Sequence, residues 1–304
     1  MHTRLTRQLP ARLAARLATL MTTLMTALAL HARPLPAEPP APEVAVAQLD
    51  QELLAAKLLE TMVLSRSPAP ADQQKIEQNY LRIETQHPGS AAVKNTFAEF
   101  LWNAGKRPEA VAKWEAAERL VPGNPQVLAH LGSAFLEMGQ VRQGSEYLHR
   151  ASEAAPKDPT LHFSAANALF MFRHELLMPE PQAFALATQH FRRASQLSPA
   201  NAEYAQAYAE VFYSLPAPDW NLALEAWEHL RTLSQIPDFA LSHLARAHLK
   251  LGQETAAREC LEKMRSPEFA ALRARIEAKI PPPGSHIEGR TEPIRTTPTE
   301  TKTR

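Results

Sequence analysis

The sequence predicts an all-α protein built from repeated pairs of antiparallel helices. The first observation is spacing, because Pro88, Pro122 and Pro156 follow one another at intervals of 34 residues. The second is that small and large residues repeat with the same period. The third is composition: 304 residues include 26 Pro but only 9 Gly, which favours helices punctuated by proline over a glycine-rich β protein.

A single shift of 34 residues aligns positions of several kinds. It carries Phe97, Ala98, Leu101 and Gly105 onto Leu131, Gly132, Phe135 and Gly139, and Ala110, Trp114 and Ala117 onto Gly144, Leu148 and Ala151. Small residues suit the places where two helices cross closely, and large ones fill the space between them. The two glycines suit the left-handed turn that ends a first helix. Asn124-Pro125 and Asp158-Pro159 suit a helix start, with an N-cap residue followed by proline.

This pattern resembles the tetratricopeptide-repeat (TPR) family, and the copy that matches best runs from Leu128 through Gly132 and Phe135 to Ala151 and Pro156. The resemblance covers about residues 46–280, with an insertion of about nine residues within 170–181. It implies an all-α solenoid, a right-handed superhelix of about five to six TPR-like antiparallel helix pairs. A C-terminal capping helix is expected over 267–279.

The N-terminal residues predict an export signal. Four arginines within residues 4–16 precede a mostly apolar run of about 14 residues, which is shorter than a membrane span. We therefore expect a secretory signal peptide over 1–32 and a periplasmic or extracellular protein. An uncleaved segment that tethers the protein to a membrane, and a mitochondrial presequence, remain alternatives. A Pro-rich linker is expected over 33–45, and a disordered tail over 281–304, where 284–290 resembles either a cloning scar or natural sequence.

Charge and motifs exclude several classes of function. The net charge is +1 and Lys and Arg form no cluster, so we expect no nucleic-acid partner. The sequence has no phosphate-binding glycine loop and no metal-ligand motif, so neither cofactor nor metal is expected. Its one cysteine, Cys260, is interpreted as a small core residue. The protein is not expected to be an enzyme. The least favoured alternative is an enzyme with a site at the insertion, near His174 and Glu175.

The resemblance implies that the first helix of each pair lines a groove that binds a peptide or a partner helix. Aromatic side chains would anchor the partner there, and amides would pair with its main chain. Carried onto this sequence, the partner-binding groove consists of Asn95, Glu99, Trp102, Gln126, Ser133, Phe163, Asn167, Phe170, Gln206, Glu210, Tyr213 and Arg246, with Ala129, Leu136, Ser242 and Leu249 at further inner positions.

Two interpretations of this surface remain open. Any one of Trp102, Phe163 and Phe170 could be buried between helices instead of contacting a partner. Trp114 and Trp227 lie at packing positions of second helices and are assigned to the core. The favoured function is a protein–protein interaction adaptor or scaffold in the bacterial periplasm or cell envelope. The alternative is a structural repeat protein that assembles with itself, and the oligomeric state stays open.

Overall fold

The computed structural model describes residues 42–64, 70–234 and 236–281. The chain divides into two compact units, 1–68 and 69–304. One described helix, α1, belongs to the first unit and spans Pro42–Leu64. It begins four residues before the expected linker boundary at 46. Proline is tolerated in the first turn of a helix, where its missing N–H needs no partner, so Pro42 can start the helix. The expected signal peptide and the expected tail beyond 281 lie outside the described residues.

The second unit is a succession of helices, and its described residues contain no strand. Its helices are α2 (Pro70–Gln86), α3 (Ala91–Asn103), α4 (Arg107–Leu120), α5 (Pro125–Glu137), α6 (Val141–Ala154), α7 (Pro159–Met171), α8 (Glu180–Leu197), α9 (Ala202–Val211), α10 (Trp220–Leu233), α11 (Pro237–Lys250), α12 (Glu254–Lys263) and α13 (Ala270–Glu277). Short 3-10 turns follow α9 at Phe212–Ser214 and precede α13 at Pro267–Phe269. None of the described helices is long and apolar enough to cross a membrane.

These helices form the predicted pairs. Each first helix (α3, α5, α7, α9, α11) packs against the second helix that follows it (α4, α6, α8, α10, α12), and each second helix packs against the next first helix. At the ends, α2 packs against α3, and α13 packs against α11 and α12. The all-α solenoid and the helix over the C-terminal end are therefore as expected from the sequence.

The helix ends follow the predicted signals. The side chains of Asn124 and Asp158 accept hydrogen bonds from backbone N–H groups in the first turns of α5 and α7, and proline follows each of them. Gly105 and Gly139 have φ of 79° and 74°, the left-handed conformation that glycine adopts without a steric penalty. After α5, the N–H of Gln140 donates to the carbonyl of Phe135 at 2.7 Å, which closes the helix and turns the chain toward α6.

Small residues bring α5 and α6 together. A Cβ atom added at Gly132 would lie 2.6 Å from Leu148 Cγ, and one added at Gly144 would lie 2.7 Å from Leu136 Cγ. Neither distance is compatible with a van der Waals contact, so glycine at both positions lets the two helices approach this closely. The positions that share a small residue across the 34-residue period are thus the positions of close helix contact.

The core consists of apolar side chains from both helices of each pair. Trp227 is fully buried and Trp114 is 3% exposed, as predicted for second-helix packing positions. Cys260 is buried among α10–α13, and burial raises the pKa of its thiol, in keeping with its assignment to the core. The insertion lies between the end of α7 and the start of α8. The Nε of Arg142 donates to the carbonyl of Glu175 at 2.9 Å and so holds the insertion to α6.

Candidate functional site on the first helices

The accessible side chains of α3, α5, α7, α9 and α11, with the 3-10 turn that ends α9, form a surface that we call the first-helix face. All twelve residues predicted to line a groove lie on it, and none of them is buried. The exposed ones are Gln126, Ser133, Gln206, Glu210 and Arg246, and the half-buried ones are Asn95, Glu99, Trp102, Phe163, Asn167, Phe170 and Tyr213. Ser242, which the repeat pattern also placed there, is buried, and its hydroxyl donates to the Phe239 carbonyl at 2.8 Å.

One group of predicted residues meets where α3 lies beside α5. The Asn95 amide donates to the Glu99 carboxylate at 3.1 Å, and His130 Nδ1 donates to the Asn95 carbonyl oxygen at 2.9 Å. Glu99 and His130 also line a cavity of about 190 Å³ with Trp102 and Ser133. This cavity has the size of one side chain. It combines a carboxylate, an imidazole and an indole, so it can accept a side chain that is both polar and flat.

The two phenylalanines on α7 pack against neighbouring helices and are also partly accessible on the first-helix face. The ring of Phe163 lies 4.7 Å from that of Tyr204 on α9, and the ring of Phe170 lies 5.9 Å from that of Phe184 on α8. The Arg173 guanidinium lies 5.4 Å from the centre of the Phe170 ring and 5.1 Å from the centre of the Phe184 ring. Both phenylalanines are packed against the core and only partly accessible. The interpretation as packing residues therefore holds for a large part of each ring.

A second group of predicted residues meets between α9 and α11. The Arg246 guanidinium lies over the Tyr213 ring at 5.1 Å, and the Tyr213 hydroxyl donates to the His243 carbonyl at 3.2 Å. Burial raises the pKa of Tyr213 to about 12, so its hydroxyl keeps its proton and remains a donor. Nearby, Lys250 lies 5.9 Å above the Trp220 ring. This end of the first-helix face therefore exposes two cations over aromatic rings.

The remaining predicted residues are polar. Gln206 donates to Glu210 at 2.8 Å along α9, and both side chains are exposed. Gln126 and Asn167 lie on the face outside these groups. The structure thus assembles four of the twelve residues around His130, two around His243 and two along α9. It assigns the two phenylalanines mainly to the contacts among α7, α8 and α9.

Two histidines of this face were missed from the sequence. His130 lies 5.1 Å from the Trp114 ring, and His243 is stacked on Trp227 at 4.0 Å with an angle of 3° between the planes. Burial and the Arg246 charge together lower the pKa of His243 to about 4, so the ring is neutral at pH 7. A signal was present in the sequence, because each histidine follows its tryptophan by 16 residues.

The insertion also borders a cavity. His174 and Glu175 border an open cavity of about 610 Å³ with residues 139–143. The His174 ring lies 3.4 Å from the Glu180 carboxylate, which Arg173 also contacts at 3.1 Å. Within the described ranges, no three His, Cys, Asp or Glu side chains are grouped to hold a metal ion.

Neither a protein-family model nor a curated protein sequence matches this chain. Among solved structures, the chain is similar to YrrB, a TPR protein with an unusual peptide-binding site. The TM-score is 0.51 at 14% identity, over 66% of this chain and 97% of that chain. It also matches pilF of Pseudomonas aeruginosa, with a TM-score of 0.47 at 14% identity over 76% of this chain and 99% of that one. MamA matches with a TM-score of 0.42 at 18% identity, over 60% and 95%.

At 14% identity, the likeness to YrrB is one of fold. It agrees with the 34-residue period, the capped first helices, the glycine turns and the close crossing of α5 with α6. The chain therefore has the tetratricopeptide-repeat fold that the spacing of its prolines and small residues predicted.

Proposed function

We propose that this protein is a protein–protein interaction adaptor that holds a peptide or a partner helix against its first-helix face. The observation that carries the proposal is side-chain contact between neighbouring first helices along that face. Asn95 on α3 bonds to His130 on α5, Phe163 on α7 contacts Tyr204 on α9, and Arg246 on α11 covers the aromatic ring that ends α9. Three of the four neighbouring pairs of first helices thus meet through side chains, and of those named here all except the buried Tyr204 are partly accessible.

The chemistry of this face suits a polypeptide. Side-chain amides such as Gln126, Asn167 and Gln206 can pair with the backbone N–H and C=O groups of an extended segment. The cavity beside Trp102 offers a place for one anchoring side chain of the partner, and large aromatic anchors contribute much of the energy of such interfaces. No nucleic acid is proposed as a partner, because the charge balance of residues 43–280 is slightly acidic.

The test is affinity capture with residues 43–280 as bait and two matched triple variants. The first, Ser133→Arg, Gln206→Arg and Glu210→Arg, adds charge and bulk to exposed positions of the first-helix face. The second replaces two neutral residues and one acidic residue on second helices, with Gln143→Arg, Gln189→Arg and Glu259→Arg, which are also exposed. Both variants change the net charge equally, so a difference between them reports position.

We expect the parent and the second-helix variant to retain the same partner and the first-helix variant to lose it while its circular dichroism stays unchanged. Equal capture by both variants, or loss in the second-helix variant alone, would place the binding surface elsewhere. Because large aromatics on this face also pack, exposed polar positions are better probes than alanine at Trp102, Phe163 or Tyr213.

We further propose that the adaptor acts after export, in the periplasm or cell envelope of a bacterium. Support comes from the basic start and the apolar run of residues 17–30. Mass spectrometry of the N-terminal peptide from fractionated cells tests this. A mature chain that starts near residue 33 is expected in the exported fraction. A full-length chain in the membrane fraction favours an uncleaved tether, and a chain in an organelle favours a presequence.

Self-assembly is the second candidate function, and an observation on α1 favours it. Leu54 and Leu58, one helical turn apart, are 61% and 56% exposed. Exposed apolar residues on one helix face suit contact with another helix. Light scattering of the full chain across a wide concentration range distinguishes the two functions. A monomer at every concentration contradicts self-assembly. An oligomer that becomes monomeric in the double variant Leu54→Gln, Leu58→Gln supports it.

A further inference from the structure

Three histidines from three helices form a row of hydrogen bonds at the joint between the second and third helix pairs. His149 Nδ1 on α6 lies 3.1 Å from His190 Nε2 on α8. His190 Nδ1 lies 2.9 Å from His162 Nδ1 on α7. His162 Nε2 lies 3.2 Å from the carbonyl oxygen of Pro156, and His149 Nε2 lies 3.6 Å from the Glu153 carboxylate. We call these three side chains the histidine row.

The ends of the row fix where its protons lie. A carbonyl oxygen only accepts, so His162 Nε2 carries a proton and donates it to Pro156. The neutral His162 ring then accepts at Nδ1, and His190 donates to it from its own Nδ1. His190 Nε2 is consequently an acceptor, and His149 donates to it from Nδ1. With all three rings neutral, one set of tautomers satisfies every bond between them.

This pattern of hydrogen bonds also limits how many extra protons the row can hold. One extra proton fits on His149 Nε2, where it breaks no bond and faces the Glu153 carboxylate. A second one must go to His190 or His162. Either choice points two N–H groups at each other across a gap of about 3 Å. It also places two positively charged imidazole rings within the same row. A second proton therefore breaks the row.

The charges around the row do not relieve that conflict. On α6, Arg150 is paired with the Glu118 carboxylate at 2.7 Å, so Glu118 brings no free negative charge to the row. On α8, Arg193 donates to the Pro156 carbonyl at 3.4 Å and adds a further positive charge. In the turn before α7, the Asp158 carboxylate accepts from two backbone N–H groups of that helix. Glu153 is the carboxylate that meets the row, at its His149 end.

We propose that the histidine row is a proton-sensitive joint, closed when it holds at most one extra proton and opened by a second. Burial and the charges of His149 and His162 together lower the pKa of His190 to about 4, so the closed joint resists protonation. Opening takes up a proton, so the joint is stable at neutral pH and weakens as the pH falls from about 6.5 toward 4.

Opening this joint would alter the first-helix face, because His162 directly precedes Phe163 on α7. The separation of α6 from α8 would shift α7, which contributes the middle of that face. Acid in the surrounding compartment would then control the shape of the binding surface. The response of the row to pH can be measured without a partner.

The first measurement is the ring tautomer of each histidine in the full chain by ¹⁵N NMR at neutral pH. We expect a proton on Nε2 of His162, on Nδ1 of His190 and at least on Nδ1 of His149. A proton on Nε2 of neutral His190 overturns the row. This experiment uses the unmodified protein, so it does not depend on whether a variant folds.

The second measurement is hydrogen exchange of α6, α7 and α8 as a function of pH, corrected for intrinsic rates. Uptake of one proton on opening increases the open fraction about tenfold between about pH 6 and pH 5. We expect this increase in the parent and in the control His229→Gln, which changes a histidine outside the row. In His190→Gln, where residue 190 cannot take up a proton, the increase in the open fraction should be about twofold or less. An equal increase in His190→Gln, or one as large in α3 and α4, contradicts the proposal.

Discussion

Replacement of Gly144 by alanine tests the close crossing of α5 and α6, on which the repeat geometry depends. The new Cβ atom would lie 2.7 Å from Leu136 Cγ and 2.8 Å from the carbonyl oxygen of Gly132. Ordinary contacts lie near 3.5 Å, so the two helices must separate by about 0.7 Å. A side chain can rotate away from such a contact, but the backbone oxygen cannot. The strain must therefore move a helix.

The expected magnitude follows from two opposing effects. Overpacking of a close contact costs about 1 to 3 kcal/mol, and the backbone contact points to the upper part of that range. Alanine gains about 1 kcal/mol over glycine within a helix. We therefore expect Gly144→Ala to lower the free energy of unfolding by about 1 to 2 kcal/mol. For a chain of this size that corresponds to a fall in Tm of about 2 to 8 °C.

Urea denaturation followed by circular dichroism measures this change. Gly89→Ala is the control, because an added Cβ atom there meets nothing within 4 Å. Gly132→Ala strains the same crossing, so the double variant with Gly144→Ala should cost at least about 0.5 kcal/mol less than the sum of the two single changes. A Gly144→Ala protein as stable as the parent, or strictly additive single changes, refutes the reasoning.

Three further predictions concern buried groups. Because the pKa of His243 is lowered to about 4 by burial and by Arg246, folding should lose about 2 kcal/mol between pH 7 and pH 4 through this residue, after a discount for its partial exposure. His243→Phe, which keeps a ring against Trp227, should remove that part of the pH dependence in urea titrations, and unchanged pH dependence would contradict it. Asp238 is buried and accepts from the backbone N–H groups of residues 265 and 266 at 2.8 and 2.6 Å. Asp238→Ala should lower stability by about 2 kcal/mol, and a loss below about 0.5 kcal/mol would show that water replaces the carboxylate. Burial and a raised pKa should make the Cys260 thiol react with a soluble disulfide reagent at least about a hundredfold more slowly in the native protein than in urea, and equal rates would show that it is accessible.

The repeat could be predicted from sequence because local chemistry defines its boundaries. Proline, glycine and N-cap residues each act within a few positions of the helix end that they set, and the structure places those of the second pair as expected. The small residues at Gly132 and Gly144 could be predicted for the same reason, since the 34-residue period repeats the place where two helices cross.

The details of the candidate site depend on contacts between distant segments. Whether Phe163 and Phe170 are accessible is decided by aromatic rings on α8 and α9, which no pattern on α7 reveals. His149 and His190 are 41 residues apart, which is not the 34-residue period, so the histidine row has no signature in the repeat. The pairing of His130 and His243 with tryptophans did have one, in the constant spacing of 16 residues.

The most direct test of the central claim is photo-cross-linking from single positions of the full chain in its native cells. A photoreactive residue is placed at Ser133 or Gln206 on the first-helix face, and at Gln143 or Gln189 on second helices, all of them exposed. We predict adducts with one partner polypeptide from the first two positions and none from the other two. Adducts that form only from Gln143 or Gln189 would contradict the assignment of the first-helix face as the binding surface.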